Sequence, residues 1–197
     1  MSALFQKVRT LFEEGHSAQP PELWLDPRIL NIDEFRPAAV LIAMTDREDP
    51  GLLLLHRPSD MRAHPGEIAF PGGKRDPGET PEETALREAN EELGIRFEDV
   101  QIIGTSDIYR TGSGYEITPV LGIVPADIKI RPNPTEVAQW FEAPADFVLD
   151  PANQEQKTIE WEGLDHRFVQ IQWQEHCIWG VTGAIIHNLT KRLNWHA

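Results

Sequence analysis

Three glutamates near the middle of the chain have the type and spacing to bind a hard cation. Glu88, Glu91 and Glu92 stand at i, i+3 and i+4, so on a helix their carboxylates share one face. Like charges at this spacing repel, and a helix dipole disfavours anions in its last turn. Carboxylate oxygens are ligands of Mg²⁺ and also suit Mn²⁺. Taken alone, the glutamates favour a solvated acidic face, and the surrounding residues decide between the two interpretations.

The residues on either side of these glutamates predict the helix that carries them. Thr80 suits the N-cap, Pro81 suits the first helical position, and Glu83 completes a capping box. Gly94 suits the C-terminal cap. We therefore predict a helix over residues 81–93 with the acidic face near its C-terminal end.

Seven identities in this segment follow the pattern G-x5-E-x7-R-E-U-x-E-E-x-G-U, where U is aliphatic. They are Gly73, Glu79, Arg87, Glu88, Glu91, Glu92 and Gly94. Chance would give this match at about 10⁻⁸ per start site. The pattern resembles the signature of the Nudix hydrolases, which use divalent metal to hydrolyse a nucleoside diphosphate linked to another group.

The resemblance implies a role for each residue of the segment. Glu88, Glu91, Glu92 and the carbonyl of Gly72 would bind Mg²⁺ or Mn²⁺. Arg87, which can pair with a glutamate four residues away, would orient the catalytic carboxylates. Gly73, Glu79 and Gly94 would support the motif. The simpler interpretation of the Gly72-Gly73 pair is a tight turn.

A second motif lies upstream, in residues 53–73, and it narrows the substrate. This stretch resembles L-L-T-x-R-[SA]-x3-R-x3-G-x3-F-P-G-G, which marks the coenzyme A pyrophosphatase branch of the Nudix hydrolases; it departs from that motif at Leu55 and Pro58. The planar guanidinium of arginine matches phosphate oxygens. We therefore expect Arg57 and Arg62 to bind substrate phosphates, against the alternative that each pairs with a surface carboxylate.

The general base comes from one of two glutamates. Several Nudix enzymes add a carboxylate from a loop outside the motif, and Glu136 is the candidate by sequence order. Glu88 or Glu136 would accept the proton from the attacking water. Tyr115 is a candidate for stacking on adenine, although an ordinary cross-strand aromatic is the favoured interpretation.

The predicted reaction is metal-dependent hydrolysis of the diphosphate of coenzyme A, or of its acyl or oxidised forms, to 3′,5′-ADP and 4′-phosphopantetheine. The nearest alternative is a Nudix hydrolase of NADH, ADP-ribose or a dinucleoside polyphosphate. A non-catalytic nucleotide-binding module is a third interpretation. It is disfavoured because the motif glutamates and Arg87 are all present.

Composition excludes several other classes of partner. The formal net charge of −14 argues against a nucleic acid, whose binding relies on basic surface. No apolar run approaches the length of a membrane span, and the single cysteine, Cys177, allows no intrachain disulfide. We therefore expect a cytoplasmic enzyme whose substrate is a small coenzyme A-like nucleotide. A homodimer that exchanges the N-terminal arm is left open.

The hydrophobic pattern gives a coarse order of elements. Residues 2–15 read as an amphipathic helix and 16–36 as an extended arm, so we divide the chain into an N-terminal helix and arm, 1–36, and a Nudix hydrolase domain, 37–197, within a single domain overall. The resemblance implies an α/β/α sandwich with a mixed β-sheet between helices. Strands are predicted at 37–44, 51–56, 100–109, 115–124, 136–142, 156–161 and 166–173, and a last helix at 180–193.

Overall fold

A computed structural model describes residues 1–19, 27–58, 66–161 and 164–196. Four α-helices occur in these ranges: α1 Ala3–Ser17, α2 Pro81–Leu93, α3 Ala145–Val148 and α4 Gly180–Leu193. The strands are β1 Arg36–Asp46, β2 Gly51–His56, β3 Ile68–Ala69, β4 Gly72–Lys74, β5 Gln101–Thr105, β6 Tyr109–Arg110, β7 Tyr115–Pro125, β8 Gln139–Pro144, β9 Gln154–Trp161, β10 Leu164–Trp173 and β11 His176–Ile178. Short 3₁₀ turns lie at Pro27–Asn31, Phe97–Asp99 and Pro151–Asn153.

The main sheet has eight strands and is mixed. Its central path is β3-β2-β1-β7-β5, with β4 on β1, β6 on β7 and β8 on β2. β1 and β7 run parallel over their whole length, from Arg36 beside Tyr115 to Asp46 beside Pro125, and the other pairs are antiparallel. The remaining strands form a separate antiparallel sheet in the order β11-β10-β9.

Each face of the main sheet is covered by helix. Alternate residues of β1 and β2, such as Leu41 and Leu53, pack against α2, and we call this side the α2 face. Their neighbours, such as Ile42 and Leu54, point to the opposite side of the main sheet, which we call the α4 face. There they belong to a larger core with α1, α4 and the three-stranded sheet. The predicted α/β/α sandwich with a mixed sheet between helices is confirmed.

Several boundaries differ from the prediction. The single strand predicted at 100–109 is two strands, and a register shift between Ile102 and Gly104 interrupts the first. The strand predicted from residue 136 begins at Gln139. Short elements of two to four residues, namely β3, β4, β11 and α3, were not predicted because they are too short to show a hydrophobic period.

The N-terminal helix packs on the body of the protein. Phe5, Val8 and Phe12 are buried in the core of the α4 face. The buried Arg192 of α4 donates from Nη1 to the carbonyl of Gly15 near the end of α1, and it also binds Asp107. Part of the predicted arm, 20–26, lies outside the described residues, and the division at residue 36 stays a prediction. No helix in the described ranges is long and apolar enough to cross a membrane.

Candidate active site

Helix α2 begins and ends where the sequence predicts. The Thr80 hydroxyl accepts from the Glu83 N–H, and the Glu83 carboxylate accepts from the Thr80 N–H, which completes the capping box. Gly94 closes the helix in the left-handed region at φ 68°, where glycine carries no steric penalty. These local signals fix both ends of the helix that carries the acidic residues.

Arg87 ties three glutamates together. Its Nε lies 2.8 Å from Glu79 Oε1, and its Nη1 lies 2.8 Å from Glu88 Oε1 and 3.1 Å from Glu91 Oε2. Its Nη2 also donates to the Lys74 carbonyl in β4. Hydrogen bonding to Arg87 holds the pKa of Glu79 at about 2, and the same bonds raise the pKa of Arg87. Arg87 therefore joins the start of the motif to its acidic end, as the orienting role requires.

Gly72 and Gly73 lie in strand β4 and form no tight turn. Their pairing with β1 sets Gly72 beside Val40 and Gly73 beside Ala39. A Cβ on Gly72 would overlap the Ala39 carbonyl, and a Cβ on Gly73 would lie 2.5 Å from the Glu88 carboxyl. Neither glycine has a positive φ among the described backbone. Close approach, and not turn geometry, therefore requires glycine here.

Glu92 is the most buried of the predicted ligands, with 4% of its surface exposed. Its Oε2 accepts from the Gly72 N–H at 2.8 Å. Burial raises the pKa of Glu92 to about 8, and the neighbouring charges of Glu88 and Glu136 add to that shift. Burial likewise raises the pKa of Glu88, with Glu91 and Glu136 contributing. The four carboxylates therefore form one electrostatic cluster that needs positive charge.

Glu136 reaches this cluster from a turn that docks on the end of α2. The Asn133 N–H donates to the Glu92 carbonyl, and the Glu136 N–H donates back to the Asn133 carbonyl. The Asn133 side-chain amide lies 3.3 Å from Glu136 Oε1. The charge of Glu136 raises the pKa of Glu92, which lies 44 residues earlier in the sequence.

Arg57 faces the same cluster from the end of β2. Its N–H donates to the Glu67 carbonyl, which continues the strand alternation and sets its side chain on the α2 face. Its charge lowers the pKa of Glu92. The buried Nε of Arg57 has no hydrogen-bond partner, and Arg57 forms no ion pair within the described ranges. Arg62, the second predicted phosphate ligand, lies outside the described residues.

The Nudix domain family matches residues 35–162 of the chain, a span that contains all of these side chains. The chain belongs to the Nudix family. An uncharacterized Nudix hydrolase NudL of Pectobacterium atrosepticum is 38% identical over 174 residues, covering 88% of this chain and 91% of its own. A NudL of Yersinia pestis is 42% identical over 161 residues, covering 81% and 80%.

The fold has relatives among solved structures. The Nudix hydrolase RenU of M. smegmatis matches with a TM-score of 0.51 and 25% identity, covering 64% of this chain and 80% of that one. Together with the sequence relatives, this makes the protein a Nudix hydrolase of a nucleoside diphosphate derivative. Members of the family use divalent metal cations.

The donor set suits such a cation. Among the described residues no three His, Cys, Asp or Glu side chains are close enough to form a metal site as they stand. Glu88 and Glu91 instead pair with Arg87, since their like charges otherwise repel. Burial is the main cause of the raised pKa of Glu92, and the negative charges of Glu88 and Glu136 raise it further. A hard cation would relieve this repulsion with oxygen ligands alone.

Two features near the site were not predicted from the sequence. His56, directly before Arg57, forms a hydrogen bond with His176 from the three-stranded sheet. Trp140 of β8 is partly exposed on the α2 face beside the end of β2. The sequence signal for Trp140 was its place in a predicted strand near Glu136, whereas nothing in the sequence joins two histidines 120 residues apart.

Proposed function

We propose that this Nudix hydrolase cleaves the diphosphate of coenzyme A, or of its acyl or oxidised forms, to 3′,5′-ADP and 4′-phosphopantetheine or its acyl derivative. The observation that carries the proposal is Arg57. Its guanidinium lies beside the acidic cluster, forms no ion pair among the described residues, and keeps a buried Nε without a partner. A buried unsatisfied donor is costly, so a side chain held this way favours a ligand that accepts from it.

The chemistry of the substrate fits this donor. Coenzyme A carries a diphosphate and a 3′-phosphate, and a guanidinium binds phosphate oxygens through a planar fork of N–H donors. With a net charge of −14, the chain has more carboxylates than basic side chains to pair with them. Arg87, for example, pairs with three glutamates, so it is already neutralised. Arg57, in contrast, forms no ion pair among the described residues and is available at this site.

The departures from the upstream motif leave this surface unchanged. Leu55, which stands where the motif has threonine, is 1% exposed and belongs to the core against α2. Pro58, the second departure, is also buried. Both differences therefore concern packing around the strand that leads into Arg57, and neither removes an arginine of the motif.

Mg²⁺ or Mn²⁺ would be held by Glu88, Glu91, Glu92 and the carbonyl of Gly72. When bound, the cation neutralises the diphosphate and lowers the pKa of the attacking water. Arg87 keeps Glu88 and Glu91 oriented through its hydrogen bonds. Gly72 holds Glu92 in place through its N–H.

A glutamate of the cluster accepts the proton of the attacking water. Glu88 is bound to Arg87, while Glu136 is bound by the weaker amide contact from Asn133. The charges of both carboxylates raise the pKa of Glu92, which supports either residue as the base. Glu136→Gln separates the roles: if Glu136 is the base, kcat falls and its pH profile loses the acidic limb, whereas a retained acidic limb leaves Glu88 as the base.

The test is mass spectrometry of the products formed from coenzyme A, an acyl-coenzyme A, NADH and ADP-ribose, with and without Mg²⁺ or Mn²⁺. We expect metal-dependent 3′,5′-ADP and phosphopantetheine, with NADH and ADP-ribose largely intact. Preferred cleavage of NADH or ADP-ribose would keep the family chemistry and remove the proposed substrate. Tight nucleotide binding without turnover would support the binding-module alternative.

Matched variants sharpen this test. Arg57→Ala and Arg62→Ala should lower kcat/KM on coenzyme A more than on ADP-ribose, which lacks the 3′-phosphate. Arg9→Ala is the control, because Arg9 is half-exposed on α1 and pairs with Glu13 in the part of the chain that the structure describes. Equal losses on both substrates would assign the arginines to the shared diphosphate.

A further inference from the structure

The α2 face continues beyond the acidic cluster onto the edge strand β8. Leu55 pairs with Trp140, and Leu54 pairs with Phe141. Paired residues lie on one side of a sheet, and Leu55 belongs to the core of the α2 face whereas Leu54 and Phe141 belong to the other. Trp140 therefore lies on the same face as Leu55 and, two residues along β2, Arg57.

This register makes Trp140 a neighbour of Arg57. Trp140 pairs with Leu55, and the Arg57 N–H donates to the Glu67 carbonyl in register with β3, so the strand geometry reaches Arg57 and sets it diagonally across from Trp140. Diagonal neighbours on an antiparallel pair are about 7–8 Å apart, within reach of a shared ligand. Glu136 lies four residues before Trp140, in the turn that leads into β8.

Trp140 is unusual among residues of its size on this sheet. It leaves 37% of its surface exposed, while its strand neighbour Phe141 is 8% exposed and Leu55 is 1% exposed. No ring contact or cation–π contact involves Trp140 among the described residues. Part of its indole is therefore open to solvent on the face of the sheet that carries Arg57.

We propose that Trp140 forms the base subsite of the enzyme, where its indole stacks on the adenine of the substrate while Arg57 binds a neighbouring phosphate. This inference rests on the proposed nucleotide hydrolase function. The flat π-face of adenine can stack on an indole. Such stacking depends little on the identity of the base, because every base has a π-face. The flexible pantetheine arm offers no such face.

Other exposed aromatics fit this role less well. Tyr115 contacts the guanidinium of Arg36, and its register places it on the α4 face, opposite Glu92. Trp179 stands edge-on to Phe168, at the start of α4. Phe97 lies in a 3₁₀ turn with no strand pairing to β2. Trp140 alone among them lies on a strand paired with the one that ends at Arg57.

The experiment measures KM and kcat for coenzyme A with Trp140→Leu, Trp140→Phe and the control Trp179→Leu. Trp140→Leu should raise KM about tenfold with kcat within twofold, because stacking contributes to binding before the chemical step. Trp140→Phe should keep KM within about threefold, since phenyl retains a π-face. A KM in Trp140→Leu equal to that of the unaltered enzyme overturns the inference.

Product inhibition identifies the half of the substrate that is bound. In Trp140→Leu, inhibition by 3′,5′-ADP should weaken about tenfold, and inhibition by 4′-phosphopantetheine should stay unchanged. The reverse pattern assigns Trp140 to the pantetheine half and overturns the inference while leaving the coenzyme A reaction intact.

Failure of the substrate proposal is seen separately. If the unaltered enzyme cleaves ADP-ribose or NADH in place of coenzyme A, the same variants are scored on that substrate, which also carries adenine. Calorimetric titration of Glu88→Gln with 3′,5′-ADP, with and without Trp140→Leu, gives the same comparison without turnover. Equal affinity in the two proteins overturns the base subsite whatever the reaction.

Discussion

His56 Nε2 lies 2.9 Å from His176 Nδ1, and this contact joins the two sheets of the protein. The His176 ring is 3% exposed and stacks on Phe141 at 3.7 Å with an interplanar angle of 5°. The hydrogen bond needs at least one imidazole to be neutral. Because His56 precedes Arg57 and its carbonyl accepts from Ala138, the pair supports the candidate active site from the opposite face of the sheet.

The histidine pair predicts a dependence of stability on pH. Burial lowers the pKa of His56, and the charge of His176 lowers it further; the Gly66 carbonyl and Glu175 act in the opposite direction. As the pH falls below about 6.5, His56 therefore takes up a proton in the unfolded chain before it does so in the folded protein. The contribution of His56 is complete above that pH and decreases as the pH falls towards the lowered pKa.

Thermal denaturation between about pH 7.5 and pH 5.5 checks this sign. The unaltered protein should lose stability towards pH 5.5, and His56→Gln should lose less. His196→Gln is the control, because His196 is exposed and contacts only the Asp146 carbonyl. A slope for His56→Gln as steep as that of the control would contradict the assignment.

Metal binding should stabilise the fold through the acidic cluster. Millimolar Mg²⁺ or Mn²⁺ is expected to raise the melting temperature by several degrees, since a ligand of the native state stabilises it by mass action. Glu88→Gln and Glu92→Gln should abolish most of that rise, and Glu88→Gln should also abolish turnover while keeping the circular dichroism spectrum. Glu13→Gln on α1 is the control; a full metal-induced rise in Glu92→Gln would remove Glu92 from the ligand set.

Arg87→Lys should impair the reaction more than the fold. Lysine keeps the charge but not the planar fork that reaches Glu79, Glu88 and Glu91 together. Loss of an orienting contact of this kind costs about 10- to 100-fold in metal affinity or activity. We expect a fall in kcat/KM of that size, measured by steady-state kinetics over a metal titration. Full activity of Arg87→Lys would mean that the positive charge of residue 87 alone suffices.

The Asp107–Arg192 pair should contribute strongly to the attachment of α1. The side chains are 15% and 4% exposed, with Nη2 to Oδ1 at 2.6 Å. Removing one partner of a buried ion pair costs about 3–5 kcal/mol. Asp107→Ala should lower the free energy of unfolding by that amount in urea titrations. Glu13→Ala breaks the exposed Arg9–Glu13 pair and should cost less than about 1 kcal/mol.

Local signals account for what the sequence predicts well. Helix α2 matches residues 81–93 because its caps, Thr80 and Gly94, adjoin it in the chain. Glu136 and Arg57 both act on the charge of Glu92, and their roles stay proposals. The His56–His176 pair and the exposure of Trp140 depend on strand pairing between distant segments, which no local pattern specifies.

The close approach of Gly73 to Glu88 allows the position of a motif carboxylate to be changed without removing any charged side chain. A single methyl group at position 73 would occupy the space of the Glu88 carboxyl, 2.5 Å from its carbon. Gly73→Ala would thus retain every acidic and basic side chain of the motif while displacing one of them. Substitutions at position 73 would therefore measure how far the Glu88 carboxylate can be displaced before hydrolysis stops.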